Sequence, residues 1–211
     1  MIWNKGEWRE ASDFSVAAQD RAVLHGLSAF ETMLAIDGHV QHGELHLARL
    51  RATIAQLGLS DLGTFDLAEV VHELCEKNDC AKGRARLRLT VTAGEGGLSE
   101  LRPGSQATAW MSAQAWSDTE PCDLVILPWT RNERGALVGL KSGNYAENLL
   151  GLQWARQQGA SEGLFFNTRD ELCEACTANV FLQMDGVLTT PSLKSGCLPG
   201  VMRAVILESA K

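Results

Sequence analysis

Lys141 is the residue whose type and setting first suggest chemistry. It stands in the run Leu140–Leu150, LKSGNYAENLL, after the apolar residues Ala136, Leu137, Val138 and Leu140 and just ahead of a helical pattern. Burial disfavours the ammonium form of lysine, and a neutral amine can attack a carbonyl carbon and form a Schiff base. Taken alone, such a lysine reads as a surface side chain with its stem laid over apolar neighbours. Two later stretches change that reading: EACTANVF over Glu174–Phe181, and Leu198-Pro199-Gly200-Val201-Met202-Arg203. Two other spacings invite metal or redox chemistry. Cys173-x-x-Cys176 lacks a second pair or nearby histidines, and His42-x-x-x-His46 has no glutamate in the position that a zinc helix requires, because Glu44 is one place too late. No metal site is expected, and the histidine is read as a helix-entry residue making a structural hydrogen bond.

The elements that must position these residues follow from hydrophobic period and turn chemistry. Met1–Trp8 reads as a hairpin turning at Asn4-Lys5-Gly6, and Ala29–Val40 as strand with a turn at Asp37-Gly38. Leu47, Leu50, Ile54 and Leu57 predict a helix from Glu44 that stops at Gly58, and a second helix follows Thr64 with Leu67, Val70, Val71 and Leu74 on one face. Ala85, Leu87, Leu89 and Val91 alternate with Arg84, Arg86, Arg88 and Thr90, which predicts a half-buried strand with a basic second face. A glycine-rich loop spans Gly94–Gly104, and a strand follows over Thr108–Ala113. Beyond a polar linker come a strand over Asp123–Pro128, a helix over Tyr145–Gln158 closed by Gly159, strands over Leu164–Asn167 and Asn179–Gln183, a turn at Asp185-Gly186, a strand over Val187–Thr190, and a last helix opened by Gly200. This order lacks regular βαβ alternation, so an α+β class with mainly antiparallel sheet is expected. The expected organisation is a small domain over residues 1–114, a linker over 115–121 and a second domain over 122–211.

Composition narrows the function classes. A net charge of −7 over 211 residues argues against a nucleic-acid binder, which needs a basic face to neutralise phosphates. No apolar run approaches the length of a membrane span, and MIWNKGEWRE lacks the apolar centre of a signal peptide, so a cytoplasmic protein is expected. Six scattered cysteines in that compartment are expected to be reduced and partly buried.

Lys141-x-x-Asn144-Tyr145, then Glu174-Ala175-x-x-x-Asn179-Val180-Phe181, then Leu198-Pro199-Gly200-Val201-Met202-Arg203, in that order, resembles the class IV aminotransferases, the fold-type IV pyridoxal-phosphate enzymes. That family includes branched-chain and D-amino-acid aminotransferases and 4-amino-4-deoxychorismate lyase. The resemblance runs from about Asp20 to the last residue. It implies a two-domain fold, a small N-terminal α/β sandwich and a larger, mainly β C-terminal domain that is here shortened relative to the family. It also implies a homodimer and pyridoxal 5′-phosphate as cofactor.

The resemblance assigns roles residue by residue. Lys141 would carry the cofactor and move protons. Glu174 would pair with the pyridine nitrogen, and Arg49 would bind the phosphate together with the backbone N–H groups of Val201 and Met202. Tyr145, one residue closer to the lysine than its counterpart in the branched-chain enzymes, and Asn179 complete the expected cofactor set. Phe30, Thr32 and Arg88 are the expected substrate residues. Leu98 and Glu100 stand where D-amino-acid aminotransferases carry their carboxylate-binding arginine and histidine. Gly94-Glu95-Gly96-Gly97, Arg131-Asn132 and Thr32 are the lyase-like features. The expected reaction is transfer of an amino group between an amino acid and a 2-oxo acid. The alternative is cleavage of aminodeoxychorismate to 4-aminobenzoate and pyruvate, and a third reading is a non-catalytic binding subunit.

Overall fold

A computed structural model of the chain describes residues 1–100, 104, 106–117 and 120–210. The expected linker residues Asp118 and Thr119, and Leu101–Pro103 and Ser105 of the glycine-rich loop, lie outside the described residues. The chain divides into two compact units: Met1–Asp118 with Lys141–Asn144, and Thr119–Leu140 with Tyr145–Lys211.

The first unit is built on a six-stranded antiparallel sheet. Its strands are β1 (Ile2–Asn4), β2 (Glu7–Arg9), β3 (Ser28–Ile36), β4 (His39–Val40), β5 (Arg84–Thr92) and β6 (Ala109–Ala115), in the order β2-β1-β6-β5-β3-β4. The hairpins β1–β2 and β3–β4 turn through Lys5-Gly6 and Asp37-Gly38, all four residues at positive φ, the conformation that suits the right-handed twist of paired strands. Helices α2 (Gly43–Leu57) and α3 (Leu67–Lys77) cover one face of this sheet. Asp66 caps α3 by accepting from the Ala68 and Glu69 N–H groups, and Gly58 ends α2 in the left-handed region. A short helix, α1 (Arg21–His25), capped by Asp20, carries no strong periodicity and was not anticipated.

Strand alternation sets the two faces of the sheet. Met33, Ala35, Leu87, Leu89 and Met111 point to the helices and pack with Leu50, Ile54, Val71 and Leu74 in one core. Arg84, Arg86 and Arg88 point the other way and are exposed. The half-buried strand with a basic second face is thus realised in β5.

The second unit holds β7 (Leu124–Arg131), α4 (Ala146–Gln157), β8 (Glu162–Asn167), β9 (Leu172–Ala175), the hairpin of β10 (Leu182–Met184) and β11 (Val187–Thr189), and α5 (Val201–Ser209). Strands β7 and β8 are parallel and β8 and β9 antiparallel. Leu127, Phe165, Cys173, Cys176 and Cys197 form its core, with Leu152 and Trp154 against them. Three boundaries differ from expectation. Strand β7 continues through Pro128 to Arg131, because β7 is an edge strand and its register with β8 breaks between Ile126 and Thr130, where the missing proline N–H costs no ladder bond. Residues 179–181 are not strand, and β9, only four residues long, was not foreseen. Lys141–Asn144 groups with the first unit because Ser142 bridges Ala29.

Candidate active site

In the first unit, the segment around Lys141 lies against the start of β3. Phe30 N donates to the Lys141 carbonyl at 3.1 Å and Gly143 N donates to the Ser28 carbonyl at 2.7 Å. Asn144 Nδ2 donates to the Gly26 carbonyl at 3.1 Å, so the asparagine of the first motif fixes the end of this segment. Gly143 is required by close approach, since a Cβ there would collide with Ser28 Oγ. These contacts carry the Lys141 amine to the buried Phe30 ring, with Nζ 4.5 Å from its centroid. The Arg88 guanidinium lies 3.9 Å from the same centroid, and Thr32 stands opposite Arg88 in the β3–β5 register. Phe30, Thr32, Arg88 and Lys141 are therefore gathered on the sheet face away from the helices.

Arg49 does not join that group. On α2, it donates from Nε to Glu31 Oε1 at 2.7 Å and from Nη2 to Glu31 Oε2 at 2.6 Å, and His46 Nδ1 is 2.7 Å from Oε2. Glu31 follows Phe30 on β3, so its side chain points to the opposite, helix-covered face, where it is fully buried. Burial alone would raise its pKa. The hydrogen bonds from His46 and Arg49 outweigh that, with their charges adding to the effect, and hold the carboxyl below its ordinary value of 4.5. His46 thus makes the structural hydrogen bond expected of a helix-entry histidine. Glu31 itself went unnoticed in the sequence, although an acid among the inward positions Ala29, Met33 and Ala35 is a visible anomaly.

In the second unit, Glu174 stands on β9 with its side chain 12% exposed. Leu198 N donates to its Oε2 at 2.8 Å, and Arg131 Nε lies 3.5 Å from its Oε1. Arg131, from β7, also pairs with Glu147 of α4 and sits 4.0 Å from the centroid of the Phe165 ring. Its Nε and Nη2 are buried with no well-aligned hydrogen-bond acceptor among the described residues. Asn179 Nδ2 donates to the Leu198 carbonyl at 2.8 Å, and a Cβ at Gly200 would collide with Asn179 Oδ1. The second and third motifs are thereby joined: Glu174 binds the N–H of Leu198 and Asn179 its carbonyl. Gly200 is the N-cap of α5 and brings no side-chain cap, with Val201 buried and Met202 exposed in the first turn. Tyr145 OH donates to the Cys176 carbonyl at 3.3 Å, and Asn148 Nδ2 donates to the same atom. Burial pushes the Cys173 and Cys176 thiols up to about 12, which suits core residues and not reactive ones.

The family model for amino-transferase class IV matches residues 28–211. The chain belongs to the class IV aminotransferases. It is 27% identical to the aminodeoxychorismate lyase of Bacillus subtilis, over all of this chain and 74% of that protein. It is 29% identical to the branched-chain-amino-acid aminotransferase of Salmonella typhimurium, over all of this chain and 72% of that protein. The crystal structure of the Escherichia coli branched-chain amino acid aminotransferase superposes with a TM-score of 0.87 at 27% identity, covering 99% of this chain and 72% of that one. The mixed α and β fold of this class IV enzyme is the fold-type IV architecture expected from its motifs.

The side chains of this family member suit the cofactor that the family implies. A carboxylate oriented by a backbone N–H and a neighbouring guanidinium is a fit partner for a protonated ring nitrogen. A nine-residue helix that begins without a side-chain cap leaves first-turn N–H groups to be satisfied, which suits a phosphate. Orphaned buried donors on Arg131, beside Glu174, are consistent with a further polar group at this place.

Proposed function

We propose that this class IV enzyme is a pyridoxal-phosphate-dependent aminotransferase that moves an amino group between an amino acid and a 2-oxo acid. The observation that carries the reading is the oriented acid of the second unit, Glu174 held by Leu198 N–H, and within the first unit an amine set over Phe30 supports it. Lys141 Nζ would hold the cofactor, and then take the proton from the substrate Cα and return it. Glu174 would keep the ring nitrogen protonated, with Arg131 restraining the carboxylate. Arg49, oriented by Glu31, and the Val201 and Met202 N–H groups would hold the phosphate. Asn179 would act through Leu198 and Gly200, shaping the turn that presents those groups, and Tyr145 would support the Glu174 strand from the Cys176 carbonyl. Phe30, Thr32 and Arg88 would face the substrate. When bound, pyridoxal phosphate supplies the electron sink that makes the Cα–H bond labile. The same reading includes a homodimer acting in the cytoplasm on small molecules.

Lyase cleavage of aminodeoxychorismate to 4-aminobenzoate and pyruvate is the second reading, favoured by the similarity to the Bacillus subtilis enzyme. Both reactions use Lys141 to deprotonate Cα, and they part at whether pyruvate leaves. The purified protein should turn yellow with pyridoxal phosphate, and borohydride should fix the cofactor to Lys141. Lys141→Ala should lose that adduct and nearly all turnover. Turnover that depends on a 2-oxo acid supports the transaminase, and pyruvate release from aminodeoxychorismate without an acceptor supports the lyase. A protein that takes up no cofactor in excess overturns the proposal.

A further inference from the structure

Helix α3 ends in a way that puts two cysteines together. Asp79 takes a positive φ of 54°, the Cys80 N–H donates to the Cys75 carbonyl at 3.0 Å, and the Asp79 N–H donates to the Glu76 carbonyl at 3.3 Å. These two bonds around one left-handed residue form the wrap by which many helices stop. It sets the side chain three places before the cap, Asn78, against the one two places after it. Apolar residues commonly make that contact. Here both places hold cysteine, Cys75 wholly buried and Cys80 2% exposed, in the core of the first unit. The turn is fixed from outside as well, since the Met1 ammonium donates to Asn78 Oδ1 at 3.0 Å and Asn78 Nδ2 donates to the Leu74 carbonyl at 2.7 Å.

The two thiols interact. Burial raises both, a hydrogen bond from Cys75 works against that rise at Cys80, and burial with the same contact pushes the Cys75 thiol up to about 12. A disulfide asks for Cβ atoms about 3.5–4.5 Å apart. Side chains that already meet across such a wrap need a change of rotamer, not of backbone, to satisfy it. In the closed fold neither thiol is reactive, because burial keeps both protonated. Helix ends open locally far more often than a whole domain unfolds, and opening of this turn gives both thiols to solvent. Reclosing then returns them to the core side by side, which favours one partner for each.

We propose that Cys75 and Cys80 are an oxidation site, a thiol pair that a peroxide converts to a reversible disulfide clamping the end of α3. The Cys80 thiolate attacks one peroxide oxygen, the O–O bond breaks, and the departing hydroxide takes up the proton that the thiol had lost, leaving a sulfenic acid. The Cys75 sulfur then attacks the Cys80 sulfur, the S–O bond breaks, and the oxygen leaves as water with the Cys75 proton. Two thiols thus give up two electrons, and the peroxide becomes two waters. The test uses the full chain with the exposed Cys122 removed as C122S, so that its thiol does not compete. Trypsin cuts after Arg51, Lys77 and Lys82. After hydrogen peroxide under native conditions, alkylation and digestion should yield residues 52–77 joined to 78–82, and reductant should separate them. The oxidised protein should melt about 2–5 °C above the reduced one. Adding C75A or C80A should abolish both the joined peptide and the shift, and if either variant misfolds, the joined peptide and melts of the C122S parent decide. Full alkylation of Cys75 and Cys80 after peroxide, pairing of either with another cysteine, or sulfinic acid in place of the joined peptide overturns the site. A joined peptide without a rise in melting temperature overturns the clamp.

Discussion

Glu174 and Glu31 are both carboxylates held by neighbours, and their settings assign them different work. Glu174 keeps some exposure and accepts from the Leu198 backbone N–H at 2.8 Å, with Arg131 Nε 3.5 Å from its other oxygen. Glu174→Gln should leave cofactor retention largely intact and lower turnover on the order of a hundredfold, since a neutral amide cannot stabilise a protonated ring nitrogen. Turnover and cofactor affinity measured side by side check this, and wild-type turnover in the variant would remove Glu174 from the site. Glu31 is fully buried and bound on both oxygens by Arg49 and His46. Its folded pKa is depressed, so its contribution to stability is complete above the ordinary value of 4.5 and is lost as pH falls through the lower folded value. Glu31→Gln should therefore cost about 3 kcal/mol near neutrality, the scale for breaking a buried pair. The gap to wild type should shrink below about pH 4, which denaturant melts across pH 3 to 7 would reveal.

At the scale of elements, β5 is central to the first unit. It lies between β3 and β6, and its inward residues Leu87 and Leu89 are wholly buried against both helices. Leu87→Ala should destabilise the first unit by about 2–5 kcal/mol, because tight packing leaves a cavity that closes only in part. Asp66→Ala, at the start of α3, should cost only about 1 kcal/mol, since it removes one cap from a helix otherwise held by its apolar face. Chemical denaturation of both variants tests the order. The reverse ranking would mean that α3 and not the sheet limits the stability of the unit.

At the scale of the whole molecule, the chain spans 72–74% of the length of the relatives it matches. No helix among the described residues is long and apolar enough to cross a membrane. The second unit exposes Leu124, Ile126, Leu149, Leu150, Met184, Val187 and Leu188, a concentration of apolar side chains that single surface positions do not explain. In the proposed homodimer, a second copy would cover part of this surface. Sedimentation of the cofactor-loaded protein at micromolar concentration should give twice the chain mass of 22.9 kDa, and a monomer alone would contradict the proposal.

Local signals determined much of what was readable beforehand. Lys5-Gly6, Asp37-Gly38 and Asp185-Gly186 marked three hairpins because two successive positive φ values favour those residue types. The alternation in Arg84–Thr92 named both faces of β5, and the order of three motifs named the family. Tertiary structure alone decided how those motifs meet. Glu174 accepts from the N–H of Leu198 and Asn179 donates to its carbonyl, and the Lys141 segment leaves its own half of the chain to dock through Ser142 beside Ala29. Such pairings depend on backbone groups far apart in sequence, which carry no residue identity to read. The same holds for Glu31: composition offers an acid on a strand, but only the packing of α2 supplies His46 and Arg49 and makes its burial tolerable.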